Sequence, residues 1–267
     1  MASPSPRHLI SLFLFFQFLC FTTTLSLSSA VTLSSSASGK VSLALYYETL
    51  CPYCSKFIVN HLAKIFERGL IDIIDLNLVP YGNAIVVPPN DTITCQHGEF
   101  ECLLNTVEAC AINVWPDLNK HFTFIYCVER LVVEGKYKEW ESCFGQMGLD
   151  PKPIADCFNS GKGKQLELKY AKETNDLQPP HTYVPWVVVD GKPIYENYEQ
   201  FATYVCKAYK GTALPKACRE LPLEITPKAK SNQMLQVSYA DETSPTTKIR
   251  SPVTSWRRQM KMTASSE

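Results

Sequence analysis

The chain has 267 residues, 45% of them hydrophobic, enough for one substantial core or two small domains. Lys+Arg and Asp+Glu balance at 26 each, so no net field marks a nucleic acid or another polyanion as partner. Eleven cysteines point instead to an oxidising compartment.

Arg7 and His8 precede an apolar stretch at 9–21 and a Ser/Thr-rich region containing Ser28-Ser29-Ala30. The stretch is shorter than the roughly 20 residues that span a bilayer, and the small residues suit cleavage after Ala30. Residues 1–30 are read as a secretory signal peptide rather than an uncleaved anchor, and 31–39 as a Ser-rich leader. No stable membrane insertion is expected. Loss of Cys20 with the signal leaves ten cysteines, an even number.

The domain is expected over 40–220. Val41 to Tyr47 has the length and apolar density of a buried strand. Cys51-Pro52-Tyr53-Cys54 follows, and then a helical pattern over 55–68 carries Phe57, Ile58, Leu62 and Ile65, with Gly69 as its C-terminal cap. A thiol at a helix start feels the positive end of the helix dipole and unpaired N–H groups, so its thiolate is favoured. A second cysteine one turn along can close a ring with it and release an attached substrate. This reads as a redox-active pair. A shared zinc would need a second Cys-x-x-Cys or a His cluster, which is missing, so no metal is expected; a locked structural bridge is the other alternative. Alternation over 71–79 predicts a second strand, giving a right-handed strand–helix–strand unit with parallel pairing.

Asn90-Asp91-Thr92 is a glycosylation sequon in a Pro/Asn/Asp loop, and Asn90 is expected to be occupied. From about 95 to 172 the pattern turns helical, at 101–114, 119–134 and 151–168. That stretch holds Cys95, Cys102, Cys110, Cys127, Cys143 and Cys157 and reads as a helical insertion packed beside the redox loop and held by disulfides. A β pattern returns over 182–189, with Asp190-Gly191 as a hairpin turn and 192–195 as the returning strand. Pro185 at its mouth marks an edge or a special backbone geometry. A closing helix is expected at 199–210, with Cys218 placed to bridge back to Cys206. Sequence leaves the pairing of the eight structural cysteines open. Residues 221–267 read as a disordered basic tail.

The stretch from Cys95 to Cys110 carries every fixed position of C-Q-H-G-x-x-E-C-x-x-N-x-x-x-x-C. In this it resembles the gamma-interferon-inducible lysosomal thiol reductase family, over roughly residues 40–219. The resemblance implies an α/β, thioredoxin-like fold with a disulfide-rich helical insertion. It also implies a thiol reductase that acts on disulfide-containing proteins in a lysosomal or vacuolar lumen, or secreted. Cys51 is then the nucleophile and Cys54 the resolving thiol, with a strongly depressed Cys51 pKa expected for work in acid. The fold resemblance also implies a cis bond before Pro185, with the Val184 backbone opposite the redox loop pairing with an extended substrate. Tyr53 and Trp186 are either an apolar platform for substrate or ordinary packing aromatics. His97 reads first as a structural hydrogen-bonding residue and second as a group near the thiols, and Glu99 and Glu101 as helix N-terminal charges. No cofactor is expected; the electron donor is a small thiol such as cysteine or glutathione. The competing functions are a secretory-pathway disulfide oxidase or isomerase, a glutaredoxin, and a non-enzymatic secreted binding protein. Oligomeric state stays open.

Overall fold

A computed structural model describes residues 39–221. The expected signal peptide, nearly all of the leader and the tail beyond Leu221 lie outside the described residues. The first strand, β1 (Val41–Tyr47), has the bounds its sequence predicts. It lies inside a four-stranded sheet of order β2-β1-β5-β6, where β2 is Ile74–Pro80, β5 Trp186–Val189 and β6 Lys192–Pro193. Pairing with β2 is parallel, from Val41 opposite Ile74 to Tyr47 opposite Pro80; pairing with β5 is antiparallel, from Leu43 opposite Val189 to Tyr46 opposite Trp186. Leu43, Leu45 and Tyr47 join one hydrophobic cluster, Ala44 and Tyr46 a second. Cover on both faces explains why the strand reads as a continuous apolar run rather than an alternating one.

The redox loop leads into α1 (Pro52–Phe57), which passes through a π-helical turn, Ile58–Leu62, into α2 (Lys64–Glu67). Gly69 then reverses the chain at φ 67°, as its position predicts. The strand expected from 71 begins only at Ile74, because a 3₁₀ turn, Leu70–Ile73, takes the first residues of the apolar run. A short hairpin follows, β3 (Ile85–Val87) and β4 (Thr92–Thr94), which the sequence pattern did not indicate. Asn90 is exposed in its turn.

Helices α3 (Glu99–Val114), α4 (Leu118–Val133), α5 (Ser142–Met147), α6 (Lys152–Asn159) and α7 (Lys162–Asn175) form the expected helical insertion. Most of their buried side chains share the cluster of Ala44 and Tyr46 on one face of the sheet, while Phe122 and Ile125 of α4 join the cluster of Leu43, Leu45 and Tyr47. Phe57, Ile58, Leu62, Phe201 and Val205 cover the other face. The single helix expected at 151–168 is two, because Gly161, at φ 81°, breaks the chain between α6 and α7. The insertion also runs on to Asn175. Its six cysteines pair among themselves: Cys95–Cys102 closes the turn before α3, Cys110–Cys157 ties α3 to α6, and Cys127–Cys143 ties α4 to α5.

The last β pattern yields less strand than expected. Val184–Pro185 is cis and β5 starts only at Trp186, while the returning strand stops at Pro193, which has no N–H to extend a ladder. Asp190 and Gly191, both at positive φ, make the two-residue turn between them. A 3₁₀ turn, Tyr195–Gln200, takes the start of the expected closing helix, leaving α8 (Phe201–Ala208). Cys206–Cys218 joins α8 to α9 (Lys216–Glu220). A parallel strand–helix–strand unit with a dithiol at the helix start, a cis-proline before the antiparallel hairpin and a closing helix make a thioredoxin-like fold. Among the described residues, no helix is long and apolar enough to cross a membrane.

Candidate active site

The redox loop is built by a sharp reversal after β1. Thr49 donates through its N–H to the Asn105 side-chain oxygen at 2.9 Å, and Leu50 adopts φ 60°, a left-handed conformation that costs a branched residue about 1–2 kcal/mol. The reversal sets Cys51 as the N-cap of α1, with Pro52 in its first turn where a missing N–H costs nothing. Cys51 and Cys54 are the two cysteines outside a disulfide among the described residues. Both sit in the cluster that contains Val184.

The two thiols are electrostatically unlike. The Cys51 sulfur accepts a hydrogen bond from the Cys54 side chain and further ones from the backbone N–H groups of Cys54 and Tyr53; with the nearby His97 charge, these lower its pKa from 9.0 to about 7 against the opposing effect of burial. Cys54 has no exposed surface, and burial first, then the facing Cys51 thiolate, pushes its pKa well up. The lowering at Cys51 is more modest than an acidic compartment led us to expect. Cys51 is only 5% exposed, and that burial works against its thiolate.

Glu48, three residues before Cys51, was not singled out by the sequence. Its buried carboxylate accepts from the Asn83 backbone N–H at 2.7 Å and lies 3.6 Å from His97 Nδ1. Burial, then the Glu101 carboxylate, raises its pKa to about 8. Glu101 is the N-terminal charge of α3 that its position predicts, and it is also fully buried. It accepts from the backbone N–H groups of Gln96 and His97 at 3.1 and 3.0 Å and pairs with His97 Nδ1. That pairing, outweighing burial, raises the His97 pKa. His97 is therefore bonded within its own turn, as first expected, and its charge acts on the Cys51 sulfur. Glu48, His97 and Glu101 each bring one ligand atom within 4.8 Å of the others. Protein donors already occupy the Glu101 oxygens, and Asn83 binds Glu48, so the group is satisfied without an ion.

Glu101, Asn105 and Glu108 follow one another at helical spacing, which lays a polar stripe along the face of α3 turned to the redox loop. Asn105 holds Thr49, while Glu108 accepts from the Tyr47 hydroxyl at 2.6 Å and shares a hydrogen bond with Glu129 of α4. Both carboxyls are fully buried. Burial holds the Glu108 pKa at about 8, and burial with the Glu108 charge pushes Glu129 well above the usual range. Glu167 on α7 accepts from Thr106 at 2.7 Å and is raised to about 7, again by burial.

Of the other expected contact residues, Tyr53 is 53% exposed beside the thiols. The Val184 side chain and Pro185 are buried, so any substrate contact there falls to the backbone. Trp186 cannot serve as a platform. It is buried between Tyr183 and Tyr195, with ring centroids at 5.3 and 5.4 Å, and is a packing aromatic.

A dithiol at a helix start, polarised into one lowered and one raised thiol within a thioredoxin-like fold, defines a thiol–disulfide oxidoreductase. Comparison with known proteins narrows the class. The family model described as gamma interferon inducible lysosomal thiol reductase matches residues 42–147. The chain is 46% identical over 209 residues to a gamma-interferon-responsive lysosomal thiol protein of Arabidopsis thaliana, covering 77% of this chain and 86% of that one. It is 37% identical over 190 residues to a gamma-interferon-inducible lysosomal thiol reductase of Mus musculus, covering 69% and 74%. The chain belongs to the gamma-interferon-inducible lysosomal thiol reductase family. Among solved structures, it is similar to MdbA, a thiol-disulfide oxidoreductase from Actinomyces oris, with a TM-score of 0.47 and 13% identity over 65% of this chain and 83% of that one.

Proposed function

We propose that the protein reduces disulfide bonds of protein substrates in an acidic lumen of the secretory or endocytic system, lysosomal or vacuolar, or after secretion. The observation that carries this reading is the opposed ionisation of the two thiols. Cys51 attacks as the thiolate, a mixed disulfide forms with one substrate sulfur, and Cys54 then attacks Cys51 to free the reduced substrate and close Cys51–Cys54. The substrate gains the two electrons that the dithiol loses. A small thiol such as cysteine or glutathione restores the dithiol. An extended substrate segment pairs with the Val184 backbone beside cis-Pro185, with Tyr53 as an exposed apolar contact.

Membership of a thiol reductase family supports the reductive direction. A strongly stabilised thiolate stabilises the dithiol and makes the pair an oxidant; the lowering at Cys51, opposed by its own burial, is in keeping with a reductant. Acid suits the site in a second way. Below about pH 7 the Glu48 and Glu108 carboxyls are neutral and His97, whose pKa is raised, is charged, so the surroundings of Cys51 are at their least anionic. The name of the mouse relative agrees with a lysosomal setting. Exposure of Asn90 in a hairpin turn fits its glycosylation in that pathway.

Trapping tests the roles. Cys54→Ser incubated with a disulfide-bonded protein should accumulate a mixed disulfide through Cys51. No adduct, or an adduct through another cysteine, would end this assignment.

A further inference from the structure

A cleft of about 250 Å³ opens between the start of α1 and the end of α4, lined by Leu50, Pro52, Ser55, Lys56, Val132 and Val133. Leu50 and Pro52 are the two neighbours of Cys51 in the chain, so the cleft adjoins the nucleophile. Leu50 and Val132 belong with the cluster of the helical insertion, whereas Val184 lies with the thiols in the other, so the cleft and the cis-proline backbone reach the dithiol from different sides. An extended chain laid across Cys51 from Val184 runs on into the cleft.

The walls of the cleft are rigid. Gly135, at φ 73°, ends α4 in a Schellman motif: its N–H donates to the Val132 carbonyl oxygen at 3.0 Å, and that of Lys136 to the Leu131 carbonyl oxygen at 2.7 Å. Val132 and Val133, β-branched and stiff at χ1, are held there on the last helical turn. Ser55 is fully buried, and its hydroxyl donates to the Cys51 carbonyl oxygen at 3.1 Å, so the floor asks for no polar partner. Val133 is nevertheless 42% exposed, and Tyr53, on the same turn of α1 as Pro52, continues the apolar surface. One charged residue lines the cleft, the exposed Lys56. The charges that end α4 are closed among themselves, Glu134 with Arg130 at 2.8 Å and with Lys136 at 3.2 Å.

Resting on the reductase reading above, we propose that this cleft is a substrate subsite that takes an aliphatic side chain two residues from the reactive cysteine, with an acidic residue beside it against Lys56. Side chains of an extended segment alternate, so the residue two places along faces the protein as the cysteine does, roughly 7 Å away. A cleft bounded by both neighbours of Cys51 lies within that reach. The helical insertion, through Val132 and Val133, then selects substrate as well as covering the sheet.

The test uses peptides held in a mixed disulfide with a chromogenic aromatic thiol. Cys51 attacks the peptide sulfur and the aromatic thiolate leaves, so the second-order rate of colour release by the reduced full-length protein reports how well each peptide is recognised. Leu two residues from the cysteine, on one side of it, should be preferred to Ser by about 10-fold. Val133→Ser should cut that ratio to about 2-fold, while Val133→Ile should keep it. The position is exposed, so the fold tolerates both changes, and a ratio between peptides does not depend on the amount of active protein. Glu beside the Leu should be preferred to Lys by about 3-fold at low salt, and Lys56→Glu should reverse the order. Equal rates for the Leu and Ser peptides in wild type, or an unchanged ratio in Val133→Ser, would overturn the subsite. A Glu preference that survives Lys56→Glu would overturn the part given to Lys56. No release from any peptide by wild type would instead refute the reductase reading itself.

Discussion

Replacing Glu108 by Gln should make the protein less sensitive to neutral pH. Burial raises this carboxyl from 4.5 to about 8, so between those values the folded chain keeps a proton that the unfolded chain has lost. Its contribution to stability is complete below the unfolded value and is withdrawn as pH rises towards the folded one, at about 1.4 kcal/mol per pH unit. From pH 5 to 7 that amounts to about 3 kcal/mol, a large share of the 5–15 kcal/mol that separates folded from unfolded domains. Gln keeps an oxygen for the Tyr47 hydroxyl and an N–H for Glu129, so near pH 5, where Glu108 is neutral, the two proteins should be about equally stable. Urea unfolding at intervals from pH 5 to 7.5 measures the difference. The variant should gain on wild type by about 1.4 kcal/mol per pH unit across this range. His121 and His181, lowered by burial, act in the opposite sense below their unfolded value but are common to both proteins and cancel. Parallel stability curves would refute the argument.

Other perturbations probe separate parts of the account. Cys54→Ala removes the largest cause of the lowered Cys51 pKa, so the midpoint of Cys51 alkylation should move up from about 7 towards 9.0, read as the pH dependence of iodoacetamide labelling. Gly82→Ala places a side chain at φ 60° and against Glu48; it should cost at least about 1–2 kcal/mol in urea unfolding, and less in a Glu48→Ala background. Removing Cys110 and Cys157 together opens a link between residues 47 apart, and loop entropy sets the loss at about 4 kcal/mol; Cys127 with Cys143, 16 apart, should cost about 3 kcal/mol.

Much of the frame was legible because local signals agreed with the tertiary structure. The bounds of β1, the reversal at Gly69, the Asp190-Gly191 turn and the bend before β5 each rest on residue types with few conformational options. The dithiol was legible for the same reason: Cys-x-x-Cys at a strand–helix junction has one common use. Short apolar runs carried less information, since 70–73 suits a 3₁₀ turn as well as a strand and Ser160-Gly161 splits a helix without breaking its hydrophobic pattern. The polar support of the site was largely hidden. Glu101 reads as a helix N-terminal charge and the sequence assigns no role to Asn105 and Glu108, yet the face they share is buried because the adjoining Gln96-His97 turn and, from distant parts of the chain, Thr49 and Tyr47 supply its partners. The one available signal was spacing: Glu101 and Asn105 stand at fixed positions of the family signature, and Glu108 continues their face.

The central claim is tested most directly by catalysed reduction of a disulfide-bonded protein at pH 5 and pH 7 with a small-thiol donor, comparing wild type, Cys51→Ser and Cys54→Ser after subtracting the donor's own rate. The account predicts wild-type activity that persists at pH 5 and is abolished in Cys51→Ser, with Cys54→Ser stalled as a mixed disulfide. Equal rates for all three proteins would contradict it and leave the chain a disulfide-rich scaffold.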